Sequence, residues 1–306
     1  MPTSHTRLPR RRVDGVLLLD KSPGLSSNAA LQRAKRLFAA EKAGHTGTLD
    51  PLASGLLPIC FGEATKFAQA LLDARKGYVA TVRFGIATTT GDAEGDVIAE
   101  KPVAFTRADL EGVLPRFTGT IMQVPPLHSA LKFQGRNYYE YARAGIEIPR
   151  VPRPVEIDTI VLLDWVPPVA VLSIACSKGT YVRVLAEDLA SAVGSCAHLI
   201  ALRRIATGPF AIEIAVTLDT LEAMGAADRD TLLLPPYAPL ADMRRLEIDA
   251  STARALGEGR VTPVPPGATG RYCCFDAGGR FVGVVEINAE GMRAVRLVRS
   301  VQAEGG

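Results

Sequence analysis

Short aliphatic runs bounded by turn residues set the frame for this chain. Gly15 to Asp20 (GVLLLD), Leu56 to Cys60, Tyr78 to Phe84, Val155 to Asp164 and Val169 to Cys176 read as strands by length and content. The last two, separated by a short turn, are expected to form an antiparallel pair. Segments of helical spacing lie between these runs. Ser26 or Ser27 can cap a helix over residues 28 to 40, where Ala30, Leu31, Ala34, Leu37 and Phe38 make one stripe and Arg33 and Arg36 face outward. Glu63 to Leu72, residues 107 to 115, the stretch from Arg183 to Leu189, Leu218 to Met224 and Asp228 to Leu234 are also expected as helices. Ala197 to Leu202 is expected as a further short helical piece, and Gly119 to Pro126 as a strand ending at a Pro-Pro break. Pro235, Pro236 and Pro239 mark a boundary, and Leu246 to Val301 has the punctuated apolar runs of a small β-rich module. The expected class is α+β: a mixed, largely antiparallel sheet with flanking helices, followed by a compact β module.

Composition narrows the function classes. With 306 residues, 47% of them hydrophobic, the chain can bury a large core, and ordinary domain sizes favour two domains. No apolar run approaches the roughly 20 residues needed to cross a bilayer. The N-terminal segment, with His5, Arg7, Arg10, Arg11 and Arg12, has no secretory apolar stretch, so a cytoplasmic location is expected. Five cysteines with no C-x-x-C pair, and four histidines with none at i, i+4, argue against a disulfide framework or a zinc site. There is no P-loop or dinucleotide fingerprint, and no metal or organic cofactor is expected. Thr88 to Asp96 (TTTGDAEGD) lacks the ligand series of a calcium loop and reads as a plain turn.

Net charge is +3 with a pI near 8.6, too small a bias to imply nucleic acid by itself. The positive charge is clustered, however, at Arg10 to Arg12, at Arg33, Lys35 and Arg36, and from Lys132 to Arg153. In that last stretch Lys132, Arg136, Arg143, Arg150 and Arg153 alternate with Phe133, Tyr138, Tyr139 and Tyr141. Aromatics that stack on unpaired bases beside cations that neutralise phosphates would give this pattern, and so would a helix burying its tyrosines.

One loop concentrates the chemical interest. Gly44 to Leu57 (GHTGTLDPLASGLL) centres on a single carboxylate, Asp50. Gly47 and Gly55 allow backbone conformations or close approaches that a Cβ would hinder, while Pro51 biases Asp50 away from the helical region. The carboxylate is therefore expected to be presented rather than buried. Taken alone, an aspartate in such a loop is a turn or cap residue.

The order of motifs adds to this reading. Asp20-Lys21 with Gly24, then Gly44 to Lys66, Lys76-Gly77-Tyr78, Ser177 to Arg183 and Leu202-Arg203-Arg204 together resemble the TruB family of bacterial tRNA pseudouridine synthases over roughly residues 13 to 235. There are two departures. Ser22-Pro23 moves the family's proline by one place, and His128 stands where the family tends to have tyrosine in a Tyr-Ser-Ala-Leu motif.

The resemblance implies the pseudouridine synthase fold over residues 13–240, with an RNA-contacting segment at 126–153, a basic tail at 1–12 and a PUA-like RNA-binding domain at 245–306. It implies a monomer that acts on the T-arm of tRNA, isomerising uridine 55 of the T-loop after flipping the base out. Asp50 would be the nucleophile or essential carboxylate and Arg183 its ion-pair partner. Tyr78 and Tyr181 would pack beside the base, with the Tyr78 hydroxyl suited to proton handling, and Leu202 would form an apolar wall. His45 would fill the place of the extruded base, and Lys21 would order the loop or touch RNA. Phosphate contacts would make binding weaken with salt. Two other readings of the chain are a non-catalytic tRNA-binding or folding protein, and a hydrolase that releases free uracil.

Overall fold

The computed structural model describes residues 9–129, 131–264 and 266–299. Most of the expected basic tail, with His5 and Arg7, lies outside them, as does Ala130. From Arg11 onward the chain is anchored: Arg11 donates its backbone N–H to Ala39 O at 2.8 Å, and its guanidinium pairs with Asp230 at 2.7 Å.

The main sheet runs in the order Val216–Thr217, Gly15–Lys21, Ser54–Phe61, Ala197–Thr207, Lys76–Phe84, Val169–Cys176, Arg153–Val166 and Gly119–Gln123. Short strands Ala43–His45 and Phe210–Ala211 attach to Ser54–Phe61 and Ala197–Thr207. Ladders are antiparallel except where Gly15–Lys21 meets Val216–Thr217 and where Ala197–Thr207 meets Ser54–Phe61. The antiparallel pair of Arg153–Val166 and Val169–Cys176 closes at Val166 opposite Val169.

Helix Ser27–Leu37 starts where Ser26 Oγ accepts from Ala29 N, and it buries Ala30, Leu31 and Ala34. It packs with Leu17, Leu57, Leu218 and Leu221 in one core. Helices Arg107–Val113 and Val182–Ala192 cover the other end of the sheet, with Leu110, Leu185 and Leu189 against Val82, Leu172 and Ile174. Tyr78 and Leu202 pack against both cores, at the seam between them.

Three sequence expectations need correction. Ala197 to Leu202 is not helical but the start of the 11-residue strand Ala197–Thr207 at the sheet's centre. Alanine and leucine favour helix locally, but Leu199 lies opposite Val82 and Leu202 opposite Ala80. Burial between two neighbouring strands outweighs that local preference.

The helix expected over Glu63 to Leu72 breaks at Phe67 into a 3-10 turn, Gly62–Lys66, and a helix, Ala68–Asp73. The break coincides with burial of the Phe67 ring against Phe281, centroids 5.2 Å apart, in the C-terminal module. The helix expected over Asp228 to Leu234 is instead Ala226–Asp230, because Leu234 leaves to exchange backbone hydrogen bonds with Val16, both at 2.9 Å.

The C-terminal module is a four-stranded sheet, Arg245–Ile248, Gly270–Asp276, Phe281–Asn288 and Gly291–Leu297, with one helix, Ala250–Gly257, capped by Asp249. Ile248, Leu256, Cys274, Val285 and Met292 make its core. No described helix is long and apolar enough to cross a membrane.

Gly55 decides how closely two sheet strands approach. Its φ is +101°, and a Cβ there would sit 2.7 Å from Arg204 N and closer still to Arg204 O. We expect Gly55→Ala to lower stability by about 2–3 kcal/mol, as overpacking with backbone strain does. A urea midpoint equal to that of the parent would show that the strands can part freely.

Candidate active site

The Asp50 loop is tied down on several sides before its carboxylate comes into play. Ser27 Oγ donates to Leu49 O at 2.9 Å and accepts from Leu49 N at 2.7 Å, joining the first helix to the loop. Gly24 N donates to Pro51 O at 2.8 Å. Lys21 is fully buried, and its Nζ donates to Leu25 O at 2.6 Å, Ser22 O at 3.0 Å and Pro51 O at 3.4 Å. It anchors the turn and loop and does not line the cavity below. Burial pulls its amine down to about 8, with Asp50 opposing that shift.

With its backbone fixed, Asp50 presents a side chain 40% exposed, so the carboxylate is half-buried rather than fully presented. Arg183, one residue into helix Val182–Ala192, has a side chain only 6% exposed and places Nη2 3.0 Å from Asp50 Oδ2. The same Nη2 donates to His128 O at 2.8 Å, and Nη1 donates to Thr90 O at 2.8 Å. Nη1 also lies 3.5 Å from Asp92 Oδ2. One guanidinium thus holds two carboxylates and two carbonyls, a charge-assisted set that fixes its plane. Burial lifts the Asp50 carboxyl above its ordinary value; Arg183 opposes the shift and Asp92 adds to it.

Asp50 and Arg183 open into a cavity of about 430 Å³ whose walls include Tyr78, Tyr181 and Leu202. Tyr78 comes from strand Lys76–Phe84. Burial raises its hydroxyl pKa and the neighbouring Arg204 opposes. Tyr181 is the residue before helix Val182–Ala192, and the Gln123 amide grips its backbone from both sides, accepting from Tyr181 N at 3.0 Å and donating to Tyr181 O at 3.3 Å. Five of the seven residues singled out from the sequence therefore share one cavity. Lys21 and His45 stand outside it.

The sequence model of the TruB family pseudouridylate synthase N-terminal domain matches residues 35–182, and that of the tRNA pseudouridylate synthase B C-terminal domain matches residues 183–246. Proteins named tRNA pseudouridine synthase B are similar over nearly the whole length. That of Thiobacillus denitrificans is 52% identical over 96% of this chain and 99% of its own, and that of Azoarcus sp. is 53% identical over 95% and 97%. The chain belongs to the TruB family. A chain in the crystal structure of a Cbf5-Nop10-Gar1 complex superposes with a TM-score of 0.68 at 26% identity, covering 94% of this chain and 80% of that one.

His45 ends the short strand Ala43–His45 of this TruB-family chain. Its Nδ1 is buried without a hydrogen-bond partner among the described residues, and burial, then Arg204, disfavours its charged form.

Sequence reasoning gave no role to four residues that shape the site: Lys76, Asp92, Gln123 and Arg204. Lys76 lies at the cavity wall, where Nζ donates to Leu72 O and Ala74 O at 2.6 Å each and to Leu71 O at 3.2 Å; burial brings the amine to about 8. Asp92 sits in the segment read as a plain turn. That turn delivers a buried carboxylate, held by Thr90 Oγ1 at 2.6 Å and Glu94 N at 3.1 Å. The only signal for it was a run of threonines able to hydrogen-bond an aspartate.

The segment from His128 to Arg153 divides the two explanations offered for it. Tyr138 and Tyr141 are buried, and Tyr141 donates its hydroxyl to Phe133 O at 3.0 Å, so these two rings pack inward on the small unit around helix Tyr138–Arg143. Tyr139 is exposed beneath the Arg143 guanidinium, 5.5 Å from its ring centroid, and Lys132, Arg136 and Arg150 are exposed.

Proposed function

We propose that this chain isomerises uridine to pseudouridine at position 55 in the T-loop of tRNA, with Asp50 as the essential carboxylate acting on a flipped-out base. The observation that carries the proposal is the Arg183–Asp50 pair, 3.0 Å apart, facing a cavity walled by Tyr78, Tyr181 and Leu202. The relatives' shared name supplies the reaction and the class of RNA.

In the reaction the bond from N1 of the base to C1′ breaks, a bond from C5 to C1′ forms, C5 loses its proton and N1 gains one. Nothing is oxidised and no water is consumed. An ionised carboxylate needs no partner base to become a nucleophile or to accept a proton, whereas a hydroxyl does. Arg183 fixes which oxygen of Asp50 faces the cavity. The half-buried Tyr78 and Tyr181 rings and the Leu202 side chain offer a flat base apolar walls, which suits a base that must turn without leaving.

Extruding the base costs a few kcal/mol. The exposed Lys132, Arg136, Arg143 and Arg150, with Tyr139, offset part of that cost through phosphate contact and stacking. Residues 126–153 would thus contact the T-arm, beside a catalytic domain over 13–240. The module over 245–306 would serve as a PUA-like RNA-binding domain, and His45 would occupy the space the base vacates. The protein would work as a monomer in the cytoplasm.

Release of tritium from C5-labelled uridine in unmodified tRNA, followed by position mapping, tests the reading. Release from a single T-loop uridine is expected. Tight tRNA binding with no release would mark a non-catalytic binder, and free uracil would mark a hydrolase.

The geometry also predicts the effect of changing Asp92. Asp92→Asn should leave tRNA affinity in place while slowing single-turnover conversion by about tenfold or more, because it removes one of the two charges orienting Arg183. Unchanged turnover would make Asp92 a spectator to the pair.

A further inference from the structure

Among the described residues Arg204 is the largest fully buried side chain, 1% exposed, yet it forms part of the cavity wall. It reaches that position from the central strand Ala197–Thr207, opposite Gly55 on one side and Tyr78 on the other. Nε donates to Leu56 O at 2.6 Å and Nη2 to Gly47 O at 3.2 Å. Those two carbonyls bracket the Asp50 loop, one before the carboxylate and one after it. The neighbouring guanidinium also opposes the rise that burial imposes on the Tyr78 hydroxyl.

No carboxylate balances this charge among the described residues. Asp50 and Asp92 belong to Arg183, and Asp20 is held in a fork by Arg203 at 2.7 and 3.1 Å. The buried amines of Lys21 and Lys76 make matters worse, since Arg204 is among the causes that depress both. A buried, uncompensated cation is expensive for a fold. An apolar residue of similar volume would fill the same space at lower cost, but it could not bind carbonyl groups at both ends of the Asp50 loop.

We propose that Arg204 is a positioning residue for the isomerisation: one planar guanidinium that holds both ends of the Asp50 loop from a strand position directly opposite Tyr78, and so sets the spacing between the carboxylate and the phenol. The proposal rests on the roles given above to Asp50 and Tyr78. Arginine suits the task because Nε and Nη2 diverge in one rigid plane, each meeting its own carbonyl, whereas lysine offers a single nitrogen with no fixed plane. Gly55 belongs to the same device, since its missing Cβ lets the Arg204 backbone approach the loop strand.

The test compares wild type, Arg204→Gln, Arg204→Lys, Tyr78→Phe and the Arg204→Gln/Tyr78→Phe double variant by single-turnover tritium release at saturating tRNA, by tRNA affinity and by thermal melting. Arg204→Gln is expected to slow conversion by about 100-fold, the scale of a misplacement near 1 Å, at unchanged tRNA affinity. Arg204→Lys should fall between it and wild type. In the Tyr78→Phe background, loss of Arg204 should cost clearly less than it does alone. Variants that convert tRNA as fast as wild type, that lose binding and turnover in parallel, or whose double variant shows independent multiplying losses overturn the proposal. If Arg204→Gln does not fold, the same comparisons with Arg204→Lys decide. An inactive wild type would instead overturn the functional reading on which the proposal rests.

Discussion

Asp50→Asn is expected to fold, to bind tRNA with the affinity of the parent and to release no measurable tritium, a loss of at least about a thousandfold. The loop does not depend on the carboxylate for its shape: Ser27, Gly24, Lys21 and Arg204 hold its backbone through Leu49, Pro51, Gly47 and Leu56. Asparagine keeps the volume and can still accept from Arg183 Nη2. It loses the negative charge that would attack C1′ or the base, or take up a proton. A single-turnover assay over hours is the measurement needed, because trace wild-type protein would dominate a multiple-turnover assay. Appreciable conversion by a verified variant would remove Asp50 from the chemistry and leave it as an oriented surface carboxylate.

Arg183→Gln should produce two separable effects. The first is catalytic: Asp50 loses its orienting cation, and conversion is expected to fall by at least about 100-fold, with tRNA binding much less affected. The second is structural. Asp92, with a side chain only 5% exposed, would keep a buried charge facing a neutral amide. Breaking a buried pair in this way costs about 3 kcal/mol or more, which for a domain of this size lowers Tm by on the order of 5–10 °C. Asp50, being 40% exposed, contributes little to that stability loss because solvent screens it. Adding Asp92→Asn to Arg183→Gln should therefore recover much of the lost Tm while recovering none of the lost turnover. Recovery of turnover would mean that Arg183 serves the fold and not the reaction.

The parts of the fold that were readable in the sequence were those whose local chemistry and final environment agree. Gly15–Lys21, Lys76–Phe84 and Val169–Cys176 are aliphatic or β-branched and end up as strands buried on at least one face. Ala197 to Leu202 reads as helix because its residues favour one in isolation; only the neighbours on both edges of Ala197–Thr207 make it a strand. For Glu63 to Leu72 the deciding partner, Phe281, lies more than 200 residues away.

The site divides in the same way. Asp50, Tyr78, Tyr181, Arg183 and Leu202 were legible as members of spaced motifs, and they do line one cavity. The supporting residues were not legible. Beyond the threonines beside it, nothing local marks Asp92 as buried rather than a turn residue, and Arg204 matters through carbonyl groups, which carry no sequence signal at all.

The junction between the two sheets carries a practical consequence. Phe67 projects from the segment that directly follows the loop strand Ser54–Phe61, and its ring is clasped by Phe281, with Tyr237, Leu240 and Phe275 in the same cluster. Lys66 Nζ donates across the same boundary to Leu297 O at 2.9 Å. A chain cut after Leu240 would lay this aromatic patch open to water and untether the polypeptide that leads back to Asp50. Shortened proteins of that kind would therefore confound two losses, that of the RNA-binding surface proposed for the module and that of the brace behind the Asp50 loop.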